Sequence, residues 1–227
     1  DAIEADHLHL LMNELFGRHN FVEKFIWKKS YGGGAKEKYA VTVHEYILMY
    51  ARNLDKLDSL WLPARDDIRD RYYKLKDDKY EERGPYRIKP LEATKSMDSR
   101  PNLVYGIPHP DGTEVWPQRQ WWWKKERVLA ALKNDELVFT EGNGVRSVSY
   151  KQYLTDEDGD ERLSKPFSII DKIYTQNGTA ELREVFGGLA FPFPKPSSLI
   201  FDLIYMMTRD DKSAIVLDSF AGSGTTA

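Results

Sequence analysis

No cysteine occurs in the 227 residues, which excludes disulfides and thiolate metal sites and agrees with a cytoplasmic protein. Long apolar runs are also missing. The best stretch, Leu199 to Met207, is about half of the roughly 20 residues that cross a bilayer and contains Asp202, so no membrane association is expected. The opening residues are acids and histidines rather than a basic start and an apolar block, so no secretory signal is expected. Neither sign of charge dominates: 33 Lys and Arg face 36 Asp and Glu, a net −3 that does not advertise nucleic-acid binding by the chain as a whole. Internal repeats and low-complexity tracts are absent as well.

What is present is the composition of a soluble globular chain, 41% hydrophobic and 30% charged, long enough for one large domain or two small ones. Its charge is patterned. From Trp116 to Lys133 five bases, Arg119, Lys124, Lys125, Arg127 and Lys133, face the single acid Glu126, whereas Asp156 to Glu161 holds five acids and no base. Metal-binding patterns fail on spacing. His44-Glu45 is followed by Leu48 where a zinc helix needs a second histidine, and His7 and His9 diverge on a helix. The acidic cluster lacks a calcium loop's spacing and terminal Glu, and reads as a solvated hairpin tip.

Periodicity predicts a helix over 4–16 with Leu8, Leu11 and Leu15 on one face and Gly17 as its stop. Strands are predicted over 21–27 and 40–50, the second covered on both faces, with Gly32-Gly33-Gly34 between them. From about Leu54 the texture changes, with helical spacing around 66–79. Short β-like runs follow, punctuated by Asp111-Gly112, Asn143-Gly144, Asp158-Gly159 and Asn177-Gly178. After Gly187-Gly188 an α/β texture returns: Pro196 starts a helix with the stripe Leu199, Ile200, Leu203, Ile204 and Met207. The run Ala214 to Leu217 then reads as a buried strand ending in Asp218 and a glycine-rich turn. That is how an open α/β sheet begins a cofactor site, since glycines admit the ligand to the backbone. Gly222, Gly224 and Ala227 formally satisfy the nicotinamide fingerprint, so an oxidoreductase stands beside other cofactor enzymes at this point.

A longer context separates them. Ile26-Trp27-Lys28-Lys29 with His44-Glu45-Tyr46-Ile47-Leu48, then Lys195-Pro196, then Asp218 to Thr226, occur in that order. Arg100-Pro101-Asn102-Leu103 and Pro110-Asp111-Gly112 lie between them. In these features the whole chain resembles the amino-methylating DNA methyltransferases of the permuted class, which modify adenine N6 or cytosine N4. It is most similar to the modification subunits of type III restriction systems.

The resemblance implies an α/β, Rossmann-like S-adenosylmethionine-dependent methyltransferase fold, incomplete here, with an inserted mixed α+β target-recognition region. Residues 1–53 and 189–227 would belong to the catalytic domain and 54–188 to the recognition region. The cofactor would be S-adenosylmethionine, held by Lys195 and Pro196 and by Asp218, Phe220, Ala221, Gly222, Ser223, Gly224, Thr225 and Thr226. Lys195 and the two threonines would meet its carboxylate, and Phe220 would pack on it. The partner is double-stranded DNA, with adenine N6 the favoured target, and homodimerisation and a restriction subunit are implied. Extruding a base from a duplex costs roughly a few kcal/mol, so phosphate contacts must supply affinity. Arg100, Arg119, Lys124, Lys125 and Arg127 are the DNA-binding candidates, and at least one of Trp121, Trp122 and Trp123 is expected in the core. The family's Asp/Asn/Ser-Pro-Pro-aromatic tetrapeptide is absent, because the sequence contains no Pro-Pro. No catalytic residue is therefore assigned, and the sequence reads as an internal piece, inactive alone. The alternative is a non-catalytic DNA-recognition or specificity module.

Overall fold

The protein's computed structural model describes residues 2–34, 37–93, 98–188, 191–209 and 211–227. Along the chain run α1 (Ala2–Phe16), β1 (Phe21–Lys28), β2 (His44–Tyr50), β3 (Leu62–Pro63), α2 (Asp66–Tyr72), α3 (Tyr80–Arg83), β4 (Tyr86–Pro90), β5 (Ile107–Pro108) and β6 (Glu114–Val115). They are followed by α4 (Lys125–Lys133), β7 (Leu137–Gly142), β8 (Val145–Tyr153), β9 (Leu163–Ser164), β10 (Ile169–Ile170), α5 (Thr175–Phe186) and α6 (Ser197–Thr208). Contacts divide the chain into two compact units, Asp1–Leu62 with Leu163–Ala227, and Pro63–Arg162.

In the first unit a three-stranded sheet has the order β10-β1-β2, parallel between β10 and β1 and antiparallel between β1 and β2. Alternation along β1 sends Phe25 and Trp27 into one core with Met49, Ile170, Ile173, Leu199 and Met206. Phe25 and Trp27 are each only 1% exposed, which contributes about 1.5–3 kcal/mol apiece. Helix α6 turns Leu199, Leu203 and Met206 to this core, whereas Met207 is 45% exposed. The stripe is therefore rotated by one residue from the one that periodicity predicted. Helix α1 ends as expected, with Gly17 at φ +83° and its N–H donating to Asn13 at 3.0 Å. On its predicted apolar face Leu8, Leu11 and Leu15 remain exposed.

Two predicted strands are corrected. The second begins at His44, because its last partner on β1 is Lys28; before it, Val43 receives only the N–H groups of Lys29 and Ser30. Residues 214–217 form no strand, and Ile215 and Leu217 are 95% and 86% exposed. An apolar run becomes a strand only where an edge accepts its hydrogen bonds. Among the described residues neither β10 nor β2 pairs with this one.

The second unit is built on the antiparallel sheet β4-β8-β7. Asn143 and Gly144 turn β7 into β8 at φ +52° and +73°, the left-handed pair that a two-residue hairpin requires. Helix α4 lays Val128 and Ala131 on a core of Leu91, Ile107, Val115, Trp121, Leu137 and Val148. Trp121 is thus the core tryptophan, its indole N–H donating to the Tyr105 carbonyl at 2.8 Å, while Trp122 is exposed. Glu136 is buried against Arg83 at 2.9 Å and Lys79 at 3.1 Å. Asp111-Gly112 lies between β5 and β6, and Asp158-Gly159 inside the Thr155–Glu161 bridge. The helix predicted around 66–79 stops at Tyr72, since Leu75 exchanges hydrogen bonds with Tyr86. Asn177-Gly178 is no turn: both residues lie in the first turns of α5 of the first unit.

Candidate functional site

The register of β1 on β2 begins the site. Trp27 stands opposite Glu45, and Lys29, two residues beyond Trp27, emerges on the same face. Glu45 accepts from Lys29 Nζ at 3.1 Å and from Lys195 Nζ at 2.6 Å. The Lys195 ammonium also lies 5.0 Å from the centre of the Trp27 ring, whose indole N–H is fixed on the Ile173 carbonyl at 2.7 Å. Partial burial pushes the Glu45 carboxyl upward, but hydrogen bonds from Lys195 and Lys29 outweigh it and hold the group below its ordinary range.

Lys195 sits between two fully buried prolines, Pro194 and Pro196, just before α6. Its carbonyl accepts the Thr225 hydroxyl at 3.1 Å, which joins the glycine loop to the Lys-Pro turn across 30 residues. The loop is closed on itself. Asp218 accepts the Phe220 N–H at 3.0 Å and the Thr226 hydroxyl at 2.6 Å, bonds that draw its carboxyl below the usual range. Ser223 and Thr225 hydroxyls meet at 2.7 Å, and the Gly224 N–H donates to the Ala221 carbonyl at 2.8 Å. Gly222 and Gly224 adopt φ +56° and +72°, a conformation that favours glycine.

A cavity of about 670 Å³ opens beside the turn, lined by Lys29, Ser30, Glu45, Thr175, Gln176, Thr179, Ala180, Arg183, Phe193 and Lys195. Its size suits a small-molecule ligand. Three cations and one carboxylate give it an excess of positive charge, and a lysine ammonium held by one carboxylate keeps donors for a second. The arrangement can hold an amino-acid-like anion with its apolar part near Phe193. No cluster of metal-ligating side chains occurs among the described residues, and His44 pairs with the Tyr46 hydroxyl at 3.1 Å.

The profile of the N6/N4 DNA methylases, described as DNA methylase, matches residues 2–227. The chain belongs to that family. The type II methyltransferase M.KpnI of Klebsiella pneumoniae is 30% identical over 250 residues, covering all of this chain and 55% of M.KpnI. The Mod subunit of the type III restriction-modification enzyme StyLTI of Salmonella typhimurium is 28% identical over 229 residues, covering all of this chain and 33% of that subunit. The chain thus spans between a third and about half the length of these relatives.

Of the residues that the resemblance implies for a cofactor, Lys195, Pro196, Asp218 and Gly222 to Thr226 fall in two segments joined by the Thr225 bond. Phe220 is 94% exposed at the start of the glycine loop. The nucleic-acid candidates all lie in the second unit and all are exposed. Arg100 and Arg119 are brought near each other because the side chain of Gln120 accepts the Arg100 N–H at 3.1 Å. Lys124 and Lys125 open α4, and the Arg127 guanidinium stacks 4.1 Å from the Trp123 ring. Lys29, Glu45 and Arg183 line the cavity without having been assigned to a site from the sequence. Strand alternation across β1 and β2 was the available signal for the first two.

Proposed function

We propose that the methylase, as a whole protein, transfers a methyl group from S-adenosylmethionine to an exocyclic amino group in a specific DNA sequence, adenine N6 being favoured. One observation carries the reading: the glycine loop is hydrogen-bonded to the Lys-Pro turn beside a cationic cavity. When bound, S-adenosylmethionine supplies an electrophilic methyl group. In this reading Lys195 and Arg183 hold its carboxylate, Glu45 and the Trp27 ring fix the Lys195 ammonium, and Gly222 and Gly224 keep side chains out of the ligand's way. Positioning of this kind accounts for much of the rate of such transfers. The Pro-Pro-aromatic motif that would orient the amino group is not among these 227 residues, so no residue of the chain is given that role.

We further propose that the first unit is part of a Rossmann-like domain, and that residues 54–188, with the second unit as their body, form an inserted target-recognition region. Residues 1–53 and 189–227 then carry the catalytic side. Names of relatives, a type II methyltransferase and type III Mod subunits, support double-stranded DNA as substrate. They also support a restriction subunit as partner, and we add a homodimer and a cytoplasmic setting. Among the described residues no helix is long and apolar enough to cross a membrane.

Calorimetric titration of S-adenosylhomocysteine tests the cofactor site. Binding that disappears in Gly222→Asp, whose carboxylate would enter the loop, is the expected result. Binding that survives Gly222→Asp removes the loop from the site. A folded chain that binds DNA but no S-adenosylhomocysteine favours instead the recognition module.

A further inference from the structure

Gly178 occupies the fourth residue of α5, where glycine is a poor helix former by about 1 kcal/mol relative to alanine. Its backbone gives no reason for the choice, because its φ is ordinary for a helix and it is not among the glycines with positive φ. Room does. A Cβ at 178 would lie 2.8 Å from the Pro194 carbonyl oxygen and 2.9 Å from both the carbon and the oxygen of the Lys195 carbonyl. These are backbone atoms, flanked by two fully buried prolines, so they cannot swing aside as a side-chain tip would. Ordinary contact begins at 3.4 Å, so the turn would have to move by about half an ångström.

One helical turn further along α5, Glu181 accepts the Ser197 N–H at 2.8 Å, occupying an amide at the start of α6 that has no intrahelical partner. Pro196 at the N-cap position has no side-chain oxygen to do this, so α5 supplies the cap from outside. The same Lys195 carbonyl that Gly178 faces receives the Thr225 hydroxyl of the glycine loop. The path from α5 to the turn and from the turn to the loop is therefore continuous.

We infer that Gly178 and Glu181 are positioning residues of the cofactor site: they seat the Pro194–Pro196 turn on α5 and so place both the Lys195 ammonium and the glycine loop. The inference rests on the cofactor reading above. Neither residue is among those that line the cavity; each acts through the turn. Displacements of this order at a binding constellation lower affinity steeply.

The test compares Gly178→Ala, Glu181→Ala, Glu181→Gln and the control Glu184→Ala in the same chain. Affinity for S-adenosylhomocysteine, affinity for duplex DNA, thermal melting and hydrogen exchange of the Ser197 and Gly224 amides are read for each. Gly178→Ala and Glu181→Ala are expected to lose at least about tenfold in S-adenosylhomocysteine affinity while DNA affinity stays within twofold. Glu181→Gln, which keeps an acceptor oxygen for Ser197, should recover most of the loss, and Glu184→Ala should match the parent. A merely structural role would lower both affinities together with melting. Parental S-adenosylhomocysteine affinity in both alanine variants overturns the inference, and if Gly178→Ala does not fold, the Glu181 pair decides. Should the parent chain itself bind no S-adenosylhomocysteine, the cofactor reading fails. The seat is then judged by exchange alone, faster at Ser197 and Gly224 in the variants if it exists and unchanged if it does not.

Discussion

Glu45 serves two ammonium groups with one carboxylate, and that makes it the residue whose ionisation the site feels most. With Lys29 on one oxygen and Lys195 on the other, its folded pKa lies below the ordinary 4.5. A depressed carboxyl adds stability that is fully present above pH 4.5 and is lost as pH falls through the folded value. The group is partly solvated, so the stabilisation is of the size of a screened ion pair, up to about 1 kcal/mol. Glu45→Gln is expected to lower the melting temperature of the first unit slightly at pH 7, with the gap to the parent closing below pH 4. A gap that persists at pH 3 would mean packing rather than charge. At neutral pH the same substitution frees Lys195 to swing off the Trp27 ring, and S-adenosylhomocysteine affinity should fall with it.

Among elements, the two Asn-Gly dipeptides show what local sequence can and cannot decide. Asn143-Gly144 joins β7 to β8 and forms the left-handed hairpin turn that its composition predicts. Asn177-Gly178 has the same letters, but Asn177 caps the Tyr174 N–H at 2.7 Å and Gly178 makes room for a turn 16 residues later. Hairpins, α1, β1 and α6 were legible because their signals are contiguous. Lys195 and the glycine loop could be singled out because each is a short motif, and the Thr225 bond joins them. The run at 214–217 was not legible, because a strand exists only by pairing with something distant. Nor was the Glu45–Lys195 pair, whose partners are 150 residues apart. The hairpin itself is open to a direct check. Gly144→Val forces a β-branched residue into φ +73° and should destabilise the second unit by about 1–2 kcal/mol in urea unfolding. Gly142→Ala, at a glycine without positive φ and with open space at its Cβ, should cost far less. Equal losses would remove the turn conformation as the cause.

For the whole molecule, a net charge of −3 conceals a local excess of bases between Trp116 and Lys133. The basic stretch and Arg100 lie in the Pro63–Arg162 unit, while the Lys195 turn and the glycine loop lie in the other. If the second unit is the recognition region, nucleic-acid affinity must come from local cations working against a negative whole, and its salt dependence counts them. Each phosphate contact made releases counterions and steepens the fall of log K with log salt by about 0.9 on duplex DNA. Lys124→Gln with Lys125→Gln at the exposed start of α4 should therefore flatten the slope by up to about 1.8, with little change in melting. Arg127→Gln should differ in kind, because its guanidinium covers the Trp123 ring and its removal weakens packing as well as charge. S-adenosylhomocysteine titrations of the same variants should match the parent, since none of these residues is in the first unit. A slope that does not move in the double variant would take α4 off the DNA, leaving Arg100 and Arg119 as the cations to test next. A loss of S-adenosylhomocysteine affinity would instead mean that the two units do not divide the work in this way.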